Sequence, residues 1–294
     1  MRRGIINTLK RIDDLLEVVV FDWALHPSRR RMSVALTGVC FALALTGTQR
    51  PAMTPQEHLE VGTALLTKKA KTPSAVQHLE AAAEGLAGEG KAWQSLGHAY
   101  LNADRPHDAI RAYQRAVELD ASTSHLFFLG YGYVKADLPE VALGTYQQIL
   151  SENAFFYPAL AYQGVAHDKA ERYVQAKQMF HRALAYNPDY LPAHFHLGIT
   201  YVNTQEYDRS IRSFEKVIQL DPTEAAAYYN IACCYSLMGN VDEAVKWLAQ
   251  SVERGFNDYQ HMDQDGDLDN MRTDPRYQQL REQARQAWET EAQS

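Results

Sequence analysis

The chain has 294 residues, 46% of them apolar and 22% charged, a composition that excludes disorder for most of its length. Its net charge of −7 is uneven, because residues 1–50 carry eight Lys or Arg against four acidic residues, which leaves −11 for the rest. An acidic body repels nucleic-acid phosphates, so no nucleic-acid partner is expected. The three cysteines, Cys40, Cys233 and Cys234, are too few for a disulfide framework and lack metal-ligand spacing.

Residues 1–28 are predicted to form an amphipathic helix that ends at Pro27. Its apolar residues recur every three or four positions, at Ile5, Leu9, Ile12, Leu16, Val19 and Trp23. Such a helix could lie on the inner surface of a membrane or against a membrane partner.

Residues 29–53 begin with three arginines, which precede the uncharged stretch 32–49. The stretch could be a short membrane anchor, the apolar part of a cleaved signal peptide, or a helix buried against the rest of the protein. The arginines favour the anchor, because Lys and Arg flank the cytoplasmic side of membrane helices. An anchor would place the remaining chain in a bacterial periplasm. Without it, the protein would be cytoplasmic or secreted.

A repeat of about 34 residues begins at Trp93, which is followed by Leu96, Gly97 and Tyr100. The first copy continues with Ala109, Tyr113 and Ala116. The later copies place related residues at Leu129, Gly130, Tyr133, Ala142 and Tyr146; at Leu160, Gly164, Ala176, Phe180, Ala183 and Pro188; at Leu197, Gly198, Tyr201, Phe214 and Pro222; and at Ile231, Ala232, Tyr235, Ala244 and Leu248.

This pattern resembles the tetratricopeptide-repeat (TPR) family, with five repeats in residues 90–256 and a degenerate copy in residues 54–89. The resemblance implies an all-α protein, a right-handed superhelical solenoid of helix pairs that follows an N-terminal helical or membrane segment. Turn residues predict helix breaks at 103–106 and 238–240. The small residues at the repeated Gly position should let the two helices of a pair approach closely, and stacking of pairs should supply the core.

The resemblance also implies a binding groove on the concave face, lined by the first helix of each repeat. The residues expected there are Phe127, Phe128, Tyr131, Tyr162, Phe195, His196, Asn203, Tyr229 and Asn230. Each aromatic residue could instead pack between helices. However, other residues fill the signature core positions, and this favours the interpretation that the aromatic residues as a set are exposed and bind a partner. The Lys, Asn and Arg set with which some TPR proteins hold a C-terminal carboxylate is absent. The expected ligand is therefore an apolar or aromatic segment of a protein.

Residues 257–294 are predicted to cap the repeats. The acidic residues with EF-hand spacing are Asp263, Asp265, Asp267 and Asp274. However, Leu268 occupies the position where that loop needs glycine, and the capping interpretation is preferred. The stretch resembles tails that follow many bacterial TPR arrays, in which Leu268, Met271, Pro275 and Tyr277 would dock on the last repeat. A closing helix is expected over residues 276–292.

No catalytic motif is found: there is no nucleophile elbow, no Walker sequence and no dinucleotide-binding glycine pattern. His194 and His196 would diverge on a helix, and Cys233 and Cys234 are interpreted as small buried residues. Neither a cofactor, a metal nor a small-molecule substrate is expected. The sequence thus predicts a non-catalytic, membrane-tethered scaffold that aids assembly or recruitment of a membrane or envelope complex. The alternative is a permanent structural subunit of such a complex.

Overall fold

The computed structural model of the protein describes residues 52–66 and 72–293. Within these ranges the regular structure is helical throughout, which confirms the predicted all-α class. The helices, in chain order, are α1 (Pro55–Leu66), α2 (Thr72–Gly85), α3 (Gly90–Asn102), α4 (Pro106–Leu119), α5 (Thr123–Lys135), α6 (Pro139–Glu152), α7 (Tyr157–Lys169), α8 (Tyr173–Tyr186), α9 (Leu191–Asn203), α10 (Tyr207–Leu220), α11 (Ala225–Leu237), α12 (Val241–Glu253), α13 (Tyr259–Gln264), a 3₁₀ helix (Gly266–Met271) and α14 (Pro275–Gln293).

The predicted amphipathic helix and the uncharged stretch 32–49 lie outside the described residues. None of the helices that the structure describes combines the length and apolar character needed to cross a membrane.

The chain divides into two compact units, whose described parts are residues 52–66 with 72–152, and residues 153–293. In the first unit, α1 packs on α2, α3 on α4 and α5 on α6, and successive pairs also contact each other. In the second unit, α7 packs on α8, α9 on α10 and α11 on α12, followed by the C-terminal helices. Each unit is therefore a series of consecutive helix pairs, as the repeat predicts.

Glycine brings the two helices of a pair together. A Cβ atom added at Gly130 would lie 2.7 Å from the Tyr146 ring, and one at Gly164 or Gly198 would lie 2.8 Å from the facing phenylalanine ring. The facing residues, Tyr146, Phe180 and Phe214, are fully buried. The predicted close approach at these small residues is confirmed.

The turns within the five pairs from α3–α4 to α11–α12 share the same backbone form. One residue per turn adopts positive φ, between 59° and 77°, at Asp104, Asp137, Glu171, Gln205 and Gly239. The residue that follows donates its backbone N–H to a carbonyl five positions back, as Arg105 does to Tyr100. This is the hydrogen bond that closes a helix with a left-handed residue. The predicted helix breaks at 103–106 and 238–240 are confirmed.

The C-terminal segment packs on α11 and α12. Leu268, Met271 and Tyr277 are buried in one apolar cluster with Leu248, as the capping interpretation predicts. The prediction for Pro275 is wrong, because this residue is exposed and begins α14 instead of docking. Of the residues with EF-hand spacing, Asp263 is paired with Arg281 and Asp274 with Arg276.

Candidate functional site

Eight of the nine predicted binding residues are buried. Tyr162 is 1% exposed and Phe195 0% exposed, whereas Asn203 is exposed. The expectation that the aromatic side chains stand open to a partner is therefore wrong. The buried residues are Phe127, Phe128, Tyr131, Tyr162, Phe195, His196, Tyr229 and Asn230.

In the first unit, the buried aromatics pack between successive helix pairs. The Phe128 ring lies edge-on to the His98 ring, with centroids 4.4 Å apart, and also stacks on Tyr113. Phe127 contacts the Tyr146 ring of its own pair at 5.9 Å. Tyr131 is covered in part by the Lys135 side chain, whose ammonium lies 5.3 Å from the ring centroid. These positions belong to the core.

The second unit repeats this arrangement. His196 stacks on Phe180 and lies edge-on to Tyr162, while Phe195 contacts Phe214 with centroids 5.2 Å apart. Sequence reasoning assumed that the signature residues alone fill the core. In fact nine of the thirteen residues of α9 are buried, so the helix is covered on most sides.

The side chains of Tyr229 and Asn230 contact other residues of the same chain. The Tyr229 ring stacks on Phe256 at 4.3 Å, and its hydroxyl donates to Asp265 at 2.7 Å. The Asn230 amide donates to the Ala226 carbonyl of its own helix. The C-terminal segment therefore fills the place where a partner was expected on the last helix pair.

Asn203 belongs to a polar link between α7 and α9. Its amide donates to the Asp168 carboxylate at 3.2 Å, and the Thr200 hydroxyl donates to the same carboxylate at 2.7 Å. Since Asn203 is exposed, it remains a candidate polar contact for a partner.

An exposed aromatic pair was missed by the sequence reasoning. Phe155, just before α7, is 66% exposed, and Tyr186, at the end of α8, is 47% exposed. Their rings meet edge-to-face with centroids 5.3 Å apart. Neither residue occupies a signature position of the repeat. Their signal in the sequence was that they are aromatic residues outside the repeat pattern. Exposed aromatic pairs of this kind are typical of interface anchors.

A buried polar cluster lies where the C-terminal segment meets α11. The Asp265 carboxylate accepts hydrogen bonds from the Tyr229 hydroxyl, from the Cys233 thiol at 3.7 Å and from the Asp267 backbone N–H at 3.0 Å. The His261 Nε2 atom lies 3.6 Å from the same carboxylate. Among the residues that the structure describes, Cys233, Asp265 and Asp267 form the one group whose donor atoms have metal-ligand separations.

Burial shifts the acid–base properties of this cluster. It raises the pKa of the Cys233 thiol well above its usual value, and the nearby Asp265 charge adds to the shift. The pKa of Asp267 is raised to about 6 by burial and by the charges of Asp265 and Asp269. The neighbouring Cys234 has a different environment, since its thiol donates to the Ser210 hydroxyl. Both cysteines are free and buried, as predicted.

The comparisons with known proteins agree with the helix-pair architecture. The family described as Tetratricopeptide repeat matches residues 90–122, 169–212 and 205–263. No curated protein matches the chain in sequence.

Solved structures are similar in fold. A TPR protein of Parabacteroides merdae is 15% identical, with 74% of this chain and 84% of that protein covered and a TM-score of 0.64. The TPR protein TTC0263 of Thermus thermophilus is 21% identical, covers 59% of this chain and 95% of its own, and has a TM-score of 0.54. A MamA structure is 28% identical over 54% of this chain and 94% of its own, but its TM-score is 0.45.

The identities of the first two structures are low, so their likeness concerns the fold alone. The sequence matches themselves show that residues 90–122 and 169–263 are tetratricopeptide repeats, and the helix pairs in these ranges agree with that assignment.

Proposed function

We propose that this protein is a non-catalytic scaffold that binds another protein and helps to assemble or recruit a membrane or envelope complex. The observation that carries the proposal is the series of helix pairs, four of which are closed by the same glycine–aromatic contact. Repeat arrays of this kind use rigid, extended surfaces to hold partners.

The proposed partner has apolar or aromatic character, and the exposed pair Phe155 and Tyr186 is its anchor. Aromatic side chains dominate the binding energy of protein interfaces, and this pair is already ordered by its edge-to-face contact. Asn203 is a candidate polar contact in the same unit. No small molecule or nucleic acid is proposed as a ligand.

Crosslinking of the full-length chain in native membranes tests this proposal. One partner protein should be crosslinked to the wild-type chain and lost when Phe155→Ser and Tyr186→Ser are combined. Val174→Ser is the matched control, because Val174 is 65% exposed at the opposite end of α8 from Tyr186. A partner retained by the double variant contradicts the anchor, and a wild-type chain without a specific partner contradicts the scaffold.

The proposal includes a membrane anchor in residues 29–53 and a periplasmic location for the repeats. It is supported by the arginines at 29–31 and by the uncharged stretch that follows them. The chain should stay with carbonate-washed membranes and should become protease-sensitive when the outer envelope is opened. Recovery of the intact chain in the soluble fraction would contradict this part of the proposal.

Removal of residues 1–53 separates a tethered adaptor from a permanent subunit. An adaptor should become soluble and monomeric, since its remaining helices bury their own apolar faces. A shortened chain that aggregates would favour the permanent subunit.

A further inference from the structure

We propose that the junction between α11 and the C-terminal segment is a binding site for a zinc-class divalent metal ion, with Cys233, His261, Asp265 and Asp267 as ligands. This site lies apart from the exposed aromatic pair, and its argument does not depend on the partner proposed above.

The separations between the donor atoms suit a tetrahedral metal ion. The ligand atoms of Cys233, Asp265 and Asp267 all lie within 4.8 Å of one another. The distance from Cys233 Sγ to Asp265 Oδ2 is 3.7 Å, and that from His261 Nε2 to the same oxygen is 3.6 Å. Zinc bonds of about 2.3 Å to sulfur and about 2.0–2.1 Å to nitrogen or oxygen place tetrahedral ligand atoms about 3.3–3.6 Å apart. The separations of 3.7 and 3.6 Å would need to shorten by only a few tenths of an ångström. The other separations within the Cys233, Asp265 and Asp267 group, which are at most 4.8 Å, would shorten by up to about 1.5 Å.

The burial of the cluster supplies a reason for a cation. Cys233 and Asp265 are each 3% exposed and His261 is 4% exposed. The buried Asp265 carboxylate lies near that of the half-buried Asp267, and a divalent cation would neutralise both.

The donor types select the metal class. A thiolate and an imidazole beside carboxylates suit zinc or cobalt, whereas calcium and magnesium prefer oxygen ligands alone. The Tyr229 hydroxyl, which donates to Asp265, would hold that carboxylate in orientation, as neighbouring groups do at metal sites.

Metal binding would join two distant parts of the chain. Cys233 lies in α11, whereas the other ligands lie in or beside α13 and the 3₁₀ helix. The ion would therefore fasten the C-terminal segment to the last helix pair and stabilise the folded form.

The test is a titration of the metal-free, full-length protein with cobalt(II), in a Cys40→Ser background. Binding through a thiolate should produce a near-ultraviolet sulfur-to-cobalt charge-transfer band that saturates at one ion per chain and is suppressed by zinc. Cys233→Ser should abolish this band, and Asp265→Asn should weaken cobalt binding at least tenfold. Circular dichroism would verify that each variant is folded.

Cys234→Ser is the matched control, because Cys234 is the adjacent, equally buried cysteine whose thiol faces Ser210. It should keep the charge-transfer band and the rise in melting temperature that zinc causes. The absence of a band at millimolar cobalt, its survival in Cys233→Ser, or its loss in Cys234→Ser would each overturn the proposal.

Discussion

Replacement of Gly130 by alanine tests whether the glycine–aromatic contact determines the spacing of a helix pair. The added Cβ would lie 2.7 Å from Tyr146 Cε1 and 2.8 Å from Cζ. Carbon atoms in ordinary contact lie about 3.5–4.0 Å apart. The helix or the ring must therefore move by roughly 0.8 Å.

The ring has little room to move, because Tyr146 is fully buried and its ring packs against Phe127. Overpacking of this kind typically costs about 1–3 kcal/mol. Alanine is a better helix former than glycine by about 1 kcal/mol, which offsets part of the loss. The expected net loss in the free energy of unfolding is about 0–2 kcal/mol.

Gly144→Ala in α6 is the matched control, because the same added Cβ would meet no atom within 4 Å. It should stabilise the protein by about 0.5–1 kcal/mol through helix propensity alone. Urea unfolding followed by circular dichroism would measure both variants. Hydrogen exchange in α5 and α6 would localise the effect, since repeat proteins need not unfold in one step.

The double variant Gly130→Ala with Tyr146→Leu should be less destabilised than the sum of the single changes, since the shorter side chain removes the clashing ring atoms. A Gly130→Ala protein as stable as the Gly144→Ala protein would refute the reasoning.

Four further variants probe other parts of the structure. Leu268→Ala should lower the free energy of unfolding by about 2–5 kcal/mol and increase hydrogen exchange in α14, because Leu268 is fully buried in the apolar cluster between the C-terminal segment and the last helix pair. Phe195→Ala should cost about 3–5 kcal/mol, and an unchanged unfolding midpoint would contradict its core position. Gln205→Gly should raise the free energy of unfolding by about 0.5–1 kcal/mol, because glycine adopts the positive φ of this turn without strain. Arg276 holds the pKa of Asp274 at about 2, below the value of 3.8 in the unfolded chain. The interaction therefore stabilises the folded protein above about pH 4, and this stabilisation is lost as the pH falls towards 2. Asp274→Asn should therefore lower the melting temperature at pH 7 and match wild type at pH 2.

The positions of the helix pairs could be predicted because their signals are local and repeated. Gly239 follows α11, and the Asn187-Pro188 pair follows α8, so each helix end carries a residue that disfavours continuation. The Gly130 position could likewise be assigned to the contact within a pair, since its spacing from Tyr146 is shared by the other copies. In these places the local preference and the packing agree.

The burial of the predicted binding residues could not be read from the same pattern. Helical periodicity assigns a residue to a face but does not show how many neighbours that face meets. In α11, eleven of the thirteen residues are buried. The Tyr229 hydroxyl meets Asp265, which lies 36 residues further along the chain. The Phe155–Tyr186 contact likewise joins a loop to the end of a helix that lies beyond it. Such long-range contacts depend on the loops and not on the repeat.

The last helix pair, α11 and α12, is covered by the C-terminal segment and not by another helix pair. A terminal pair has no successor to cover its apolar face, so an array needs a closing element. Here Leu268, Met271 and Tyr277 supply the apolar cover over α11 and α12. The polar cluster around Asp265 then fixes the position of that cover, because a buried carboxylate is stable only where donors such as Tyr229 meet it. Since the chain itself fills this surface, a partner of the second unit should be sought at α7–α10, where Phe155 and Tyr186 are exposed.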